Sequence, residues 1–195
     1  MARSRNIWRR AAVAAAALIA VFSLLSVTPV PAAQLMRQER ASLTAGAVAA
    51  APLVRGQIVR AAVALEVAVE MHVNANPPTY DYLIPVTLSI EGPEGVNVAR
   101  AFYPEAERVK FPYADEPLAV YEGTVVIGME LEIAADTPLG DHIIELSVSY
   151  QACNDRACFA PANAGLALPV TVAPEGTAAE EVDSPLLSKA AFPGS

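Results

Sequence analysis

The chain has 195 residues, 54% hydrophobic and 17% charged, with 13 Lys and Arg against 21 Asp and Glu and two cysteines. That length suits one domain of ordinary size with tails, and the acidic balance argues against nucleic acid or an anionic membrane surface as partner, since both reward positive charge. No Gly-rich phosphate loop, nucleophile elbow or spaced carboxylate pair is present, so no cofactor is expected.

The N-terminus reads as a secretory signal over residues 1–32. "MARSRNIWRR" carries Arg3, Arg5, Arg9 and Arg10 without an acid, and an apolar run "AAVAAAALIAVFSLLSV" and the small residues of "TPVPAA" follow. Cleavage after Ala32 places Val30 and Ala32 at the two small-residue positions; by its length the apolar run is also an alternative as an uncleaved membrane anchor. The 13 basic residues less these four leave nine against 21 acids, a net charge of −12 for an exported domain. No later segment reaches 18 consecutive apolar residues.

Residues 33–55 are Ala-rich without a clean period and read as a linker. From Gln57 a period of two takes over. In "IVRAAVALEVAVEMHV", Val59, Ala61, Val63, Leu65, Val67, Val69, Met71 and Val73 share one parity, and Arg60, Glu66, Glu70 and His72 the other. This predicts one long bent strand or two consecutive ones, with His72 facing outward. "NANPPTYD" breaks the ladder with adjacent prolines. "YLIPVTLSI" follows as a strand with Ile84, Val86, Leu88 and Ile90 on its apolar side, then the turn "EGPEG" and an edge strand "VNVARAF". Residues 103–119, with three prolines and mixed charge, read as a surface loop. "TVVIGMELEI", "IIELSVSYQA" and "GLALPVTV" supply the last strands, with "ADTPLGDH" as a turn between the first two. Residues 174–195 read as a flexible acidic tail. About seven short strands and no convincing helix predict an all-β, antiparallel sandwich spanning residues 56–173.

Both cysteines lie in "YQACNDRACFAP", residues 150–161. Continued alternation from Ile144, Leu146, Val148 and Tyr150 turns Cys153 away from the core, and "NDRA" suits a tight turn that brings Cys158 back opposite it. An exported chain with two cysteines normally pairs them. Closing so short a loop stabilises by only ~2 kcal/mol on the chain-entropy model. Spacing and exposure therefore leave a structural staple and an exchanging thiol pair both open. Joined to His72 and His142, the cysteines would make a metal site, but no local ligand spacing supports zinc or copper. His72, beside the Asn74–Pro77 turn, is read as a turn-stabilising group, and Tyr80 and Tyr82 as packing residues.

The stretches "MHVNANPPTYDYLIPVTLSI" (71–90), "FPYADEPLAVYEG" (111–123) and "LSVSYQACNDRACFAP" (146–161) resemble the N-terminal periplasmic domain of DsbD, the thiol:disulfide interchange protein, over roughly residues 56–173. The resemblance implies an immunoglobulin-like β-sandwich in the periplasm and a dithiol/disulfide shuttle. Its pair is reduced by a membrane-embedded or thioredoxin-like donor and in turn reduces thioredoxin-fold oxidoreductases serving disulfide isomerisation or cytochrome c maturation. Carried over, Cys158 forms the mixed disulfide and Cys153 resolves it, with Tyr150 and Gln151 supporting the motif. The loop 111–117 becomes a cap, with Phe111 or Tyr113 as the shielding aromatic and Asp115 beside them; a histidine at His72 is similar to the family pattern. The chain ends after an acidic tail, without the multi-helix membrane domain and thioredoxin-like domain that follow in full-length DsbD. The expected electron donor is thus a separate polypeptide. The contrasting expectation is a binding or scaffold module for cytochrome c or metalloprotein assembly that keeps a closed structural disulfide.

Overall fold

The computed structural model describes residues 40–193, and the predicted signal segment lies outside them. In chain order the elements are β1 (Ala41–Val48), β2 (Ala50–Ala51), β3 (Leu53–Val54), β4 (Ile58–Val67), β5 (His72–Asn74), β6 (Thr87–Glu91) and β7 (Val96–Phe102). They continue with β8 (Glu107–Val109), β9 (Leu118–Tyr121), β10 (Thr124–Ile133), β11 (Gly140–Tyr150), β12 (Ala152–Cys153), β13 (Ala162–Ala173), β14 (Glu180–Glu181) and a short helix, α1 (Pro185–Lys189).

Two four-stranded sheets, ordered β1-β4-β10-β7 and β3-β13-β11-β6, form a sandwich in which only β3 and β13 pair in parallel. The period-two segments become the central strands because each offers one fully apolar face. Val63, Leu65, Ile127, Met129 and Leu131 from the first sheet meet Ile144, Leu146 and Val148 from the second in one core, all at most 1% exposed. The region from Ile58 to Val73 resolves into two strands, broken after Val67 by a turn at whose tip Val69 is 90% exposed and Glu70 has φ 64°. A third, smaller sheet, β12-β5-β9-β8, grows from one end of the sandwich.

Four expectations are corrected. Residues 33–55 are not simply a linker: β1 is an edge strand paired with β4, and Ala41 and Leu43 are buried. Its small side chains, which hide any period, permit its close approach to the other sheet. A Cβ on Gly46 would lie 3.2 Å from both Leu146 Cδ1 and Leu166 Cδ2. The described part of the tail is not free of the fold either: β14 pairs with β2, and Ala190 and Phe192 beyond α1 are buried against Ala62 and Val126 of the first sheet's outer face. Gly128 leaves the seat for this segment, since a Cβ there would come within 3.0 Å of Phe192 Cε1. The strand expected from Tyr82 starts only at Thr87, because Asn74 and Asn76 donate side-chain hydrogen bonds to the Ile84 and Val86 carbonyls and Pro85 has no N–H for a ladder. Residues 103–119 contain β8 and the start of β9, so part of the expected loop is sheet.

Candidate functional site

The cysteines occupy a hairpin where β11 leaves the sandwich for the small sheet. Tyr150 closes β11, its hydroxyl donating to the Ala41 carbonyl at 3.0 Å in the interior. Gln151 interrupts the strand, and its Nε2 donates across the hairpin to the Phe159 carbonyl at 3.0 Å. β12 then pairs with β5, setting Cys153 opposite His72. The Phe159 N–H donates to the Ala152 carbonyl at 2.9 Å, and the Asn154 N–H to the Ala157 carbonyl at 3.0 Å. Asn154 Oδ1 accepts from the N–H groups of Arg156 and Ala157, each at 2.9 Å. An asparagine side chain imitating a backbone turn is the local reason the chain reverses here. Cys153 and Cys158 are joined in a disulfide, Cα to Cα 3.9 Å. The two sulfur-bearing residues differ in access: Cys153 is 1% exposed, whereas Cys158 lies on the exposed side of the hairpin.

Aromatic rings gather on His72, the residue opposite Cys153. The His72 ring stacks on Phe111 at 4.1 Å between centroids, Phe111 stacks on Tyr113 at 5.4 Å, and His72 Nε2 lies 3.0 Å from the Tyr113 hydroxyl. Phe111 is buried on Leu118 and Val120. Lys110 draws the loop tight by donating from Nζ to the carbonyls of Ala114 and Asp115, both at 2.6 Å. Burial pushes the His72 imidazolium pKa below its ordinary value. Burial, and next the Asp155 carboxylate, push the Tyr113 phenol up, so the hairpin tip and the loop feel each other's charge. Between them runs a groove of about 580 Å³ lined by Glu70, Met71, Phe111, Glu122, Asp155 and Arg156.

The sequence matches the family described as thiol:disulfide interchange protein DsbD, N-terminal, over residues 47–168. The chain belongs to that family. Its sandwich is the fold expected of a DsbD N-terminal domain, and with the Cys153–Cys158 bond it is a thiol–disulfide interchange domain. No match is found among curated proteins. Among solved structures, the reduced DsbD N-terminal domain of Neisseria meningitidis is 14% identical, over 64% of this chain and 86% of that one, with a TM-score of 0.35. The DsbD N-terminal domain in complex with the PilB N-terminal domain, from the same organism, gives 13%, 64%, 82% and 0.36. The GAE domain of GGA2p from Saccharomyces cerevisiae gives 10%, 66%, 97% and 0.34. At such scores these likenesses carry no weight of their own, and membership rests on the family match.

Of the residues expected at the site, His72 lies opposite Cys153 and carries Phe111 and Tyr113, while Gln151 braces the hairpin and Tyr150 anchors it from the core side. Asp115 is exposed, and its part in the loop is the backbone carbonyl that holds Lys110. Two orientations differ from expectation. Cys153 stands outside the sandwich core cluster, yet it is only 1% exposed where β12 pairs with β5. His72 is 2% exposed, not outward, since the strand breaks at Glu70 and resumes in the small sheet with a different face covered. Tyr80 and Tyr82 stack on one another at 5.3 Å, and Tyr82 is 78% exposed. His142 sits near the far end of β11, its Nε2 2.9 Å from the Pro138 carbonyl oxygen, so the four-residue metal set does not assemble. Among the described residues no group of three or more His, Cys, Asp and Glu is placed to hold a metal ion. Sequence reasoning missed Lys110 as tether, Arg40, whose guanidinium lies 3.7 Å over the Phe159 ring, and the groove acids Glu70 and Glu122. Only the full topology brings them here.

Proposed function

We propose that this domain is an exported dithiol/disulfide shuttle that passes two electrons to or from thioredoxin-fold proteins through Cys158, with Cys153 as the resolving thiol. The observation that carries the assignment is the difference in burial: Cys158 lies on the exposed leg of the hairpin, while Cys153 is 1% exposed. In the reducing direction, the Cys158 thiolate attacks one sulfur of a partner disulfide, and the displaced partner thiolate takes up a proton. The Cys153 thiolate then attacks Cys158 Sγ and releases the partner as a dithiol, leaving the Cys153–Cys158 bond. A separate dithiol donor, soluble or membrane-embedded, reverses these steps to restore the thiols. The aromatic loop 111–117 acts as the cap that excludes small thiols and moves aside for a docked protein.

Support for a protein disulfide as the partner comes from the family itself, described as thiol:disulfide interchange protein DsbD, N-terminal. Export agrees with the signal-like residues 1–32 and with a disulfide, which persists in oxidising compartments. Among the described residues no helix is long and apolar enough to cross a membrane. The test is a redox titration of the purified protein against thiol/disulfide buffers, followed by trapping with a thioredoxin-fold protein. The expected potential lies above the roughly −300 mV that marks structural bonds. Cys153→Ala should accumulate a mixed disulfide through Cys158, and Cys158→Ala should not. A bond that stays closed until the domain unfolds would sink the shuttle and leave a stapled binding module.

A further inference from the structure

The cap is held by a residue that does not belong to it. Phe111 and Tyr113 lie on the loop between β8 and β9, while His72 opens β5, the strand that pairs with Cys153. The imidazole is the bridge: one face receives the Phe111 ring at 4.1 Å, and Nε2 meets the Tyr113 hydroxyl at 3.0 Å. Since the His72 backbone is fixed in register with Cys153, whatever holds the loop to His72 also holds it beside the buried cysteine. We propose that His72 is the positioning residue that latches the aromatic cap over Cys153, and that protonation of its imidazole loosens the latch, so that pH as well as partner docking sets access to the disulfide. The proposal rests on the exchange reading of the cysteine pair.

The direction follows from burial. With the cap closed His72 is 2% exposed, and an imidazolium there gives up its water; lifting Tyr113 and Phe111 lets water reach the ring. Closure thus favours the neutral ring, in keeping with the lowered value that burial causes. Above the ordinary histidine value of about 6.5 the latch is at full strength. As pH falls through that value it weakens, levelling off below the lowered value of the closed form. The charged groups around the groove are Glu70 on the preceding turn, Glu122 at the end of β9, and Asp155 and Arg156 on the hairpin tip. Three of these are carboxylates and one is a guanidinium, and the downward shift of the ring has burial as its cause.

The test measures reduction of the Cys153–Cys158 bond in the full chain by a small water-soluble phosphine between about pH 5 and pH 8. Each rate is divided by that of the same reagent on glutathione disulfide, which cancels the reagent's own titration. For the unaltered protein the ratio should be flat above neutrality and rise as pH falls below about 6.5. Tyr113→Phe removes one hydrogen bond and keeps the ring, so its ratio at neutral pH should rise roughly fivefold and still depend on pH. His72→Phe keeps a ring to stack on Phe111 but carries no proton; its ratio should be raised and flat. A flat profile for the unaltered protein, an unchanged Tyr113→Phe ratio, or the native pH profile surviving in His72→Phe would each overturn the latch. Should His72→Phe not fold, the other two proteins decide the question. Failure of the exchange reading would show separately, as a very low potential or no trapped partner, because the phosphine ratio needs no partner.

Discussion

Phe111→Ala tests the cap most directly. The ring is 8% exposed, rests on Leu118 and Val120, and stacks on both His72 and Tyr113. Burying a phenylalanine side chain stabilises by about 1.5–3 kcal/mol, and each ring contact adds about 0.5–1.5 kcal/mol. Alanine keeps the Cβ, and the Lys110 tether to Ala114 and Asp115 survives, so only part of that sum falls on the closed cap. A loss of about 2 kcal/mol in closure corresponds to roughly a 30-fold rise in the open population. The assay is the second-order rate of reduction by dithiothreitol at neutral pH, quenched by alkylation and read by mass. Urea unfolding is run in parallel, because truncating a ring packed on β9 also weakens the small sheet. Tyr82→Ala, at a side chain 78% exposed, serves as the control and should leave the rate unchanged. A rise of less than about threefold with unfolding unaltered would refute the cap, given the closure energy above.

Three further variants have expected outcomes. Phe192→Ala should lower unfolding free energy by about 2–4 kcal/mol, within the range for large-to-small core changes, because the ring is 6% exposed, packs edge-on to Phe102 at 5.4 Å and lies 4.8 Å from the Arg60 guanidinium. Gly128→Val should have a similar effect by filling the seat, and the two changes together should cost less than their sum, measured by urea midpoints at unchanged slope. Asn154→Ala removes the acceptor of two N–H groups at the hairpin tip. With the turn loosened the reduced thiols drift apart, and a tenfold fall in the effective concentration of one toward the other should move the pair's potential about 30 mV in the oxidising direction; an unmoved potential with the fold intact would show that the turn does not hold the sulfurs together.

The central strands were legible because their composition is extreme: "TVVIGMELEI" and "IIELSVSY" alternate apolar and polar side chains, and only a two-sided sheet satisfies that pattern. The edge strand β1 was not, because alanine and glycine are apolar enough to bury and small enough to leave no period. The C-terminal segment was obscured differently. Its contribution comes from two side chains, Ala190 and Phe192, and from a vacancy at Gly128 some sixty positions earlier, a relation that no local window contains. At the site, the cysteine pair and the Asn154 turn were readable from the motif. Burial of Cys153 and His72 was not, since alternation reports which way a side chain points and not what another part of the chain lays over it. Lys110 is similar: its carbonyl partners four and five residues on are ordinary loop positions until the fold bends them toward it.

The hairpin's frame is independent of the bond it carries. Gln151 spans the two legs and Asn154 closes the tip through hydrogen bonds that do not involve sulfur, so nothing in them is lost when two electrons arrive. The two thiols of the reduced domain therefore remain neighbours, each at a high effective concentration toward the other. If the pair exchanges as proposed, a mixed disulfide through Cys158 is short-lived, because the second sulfur is already within reach.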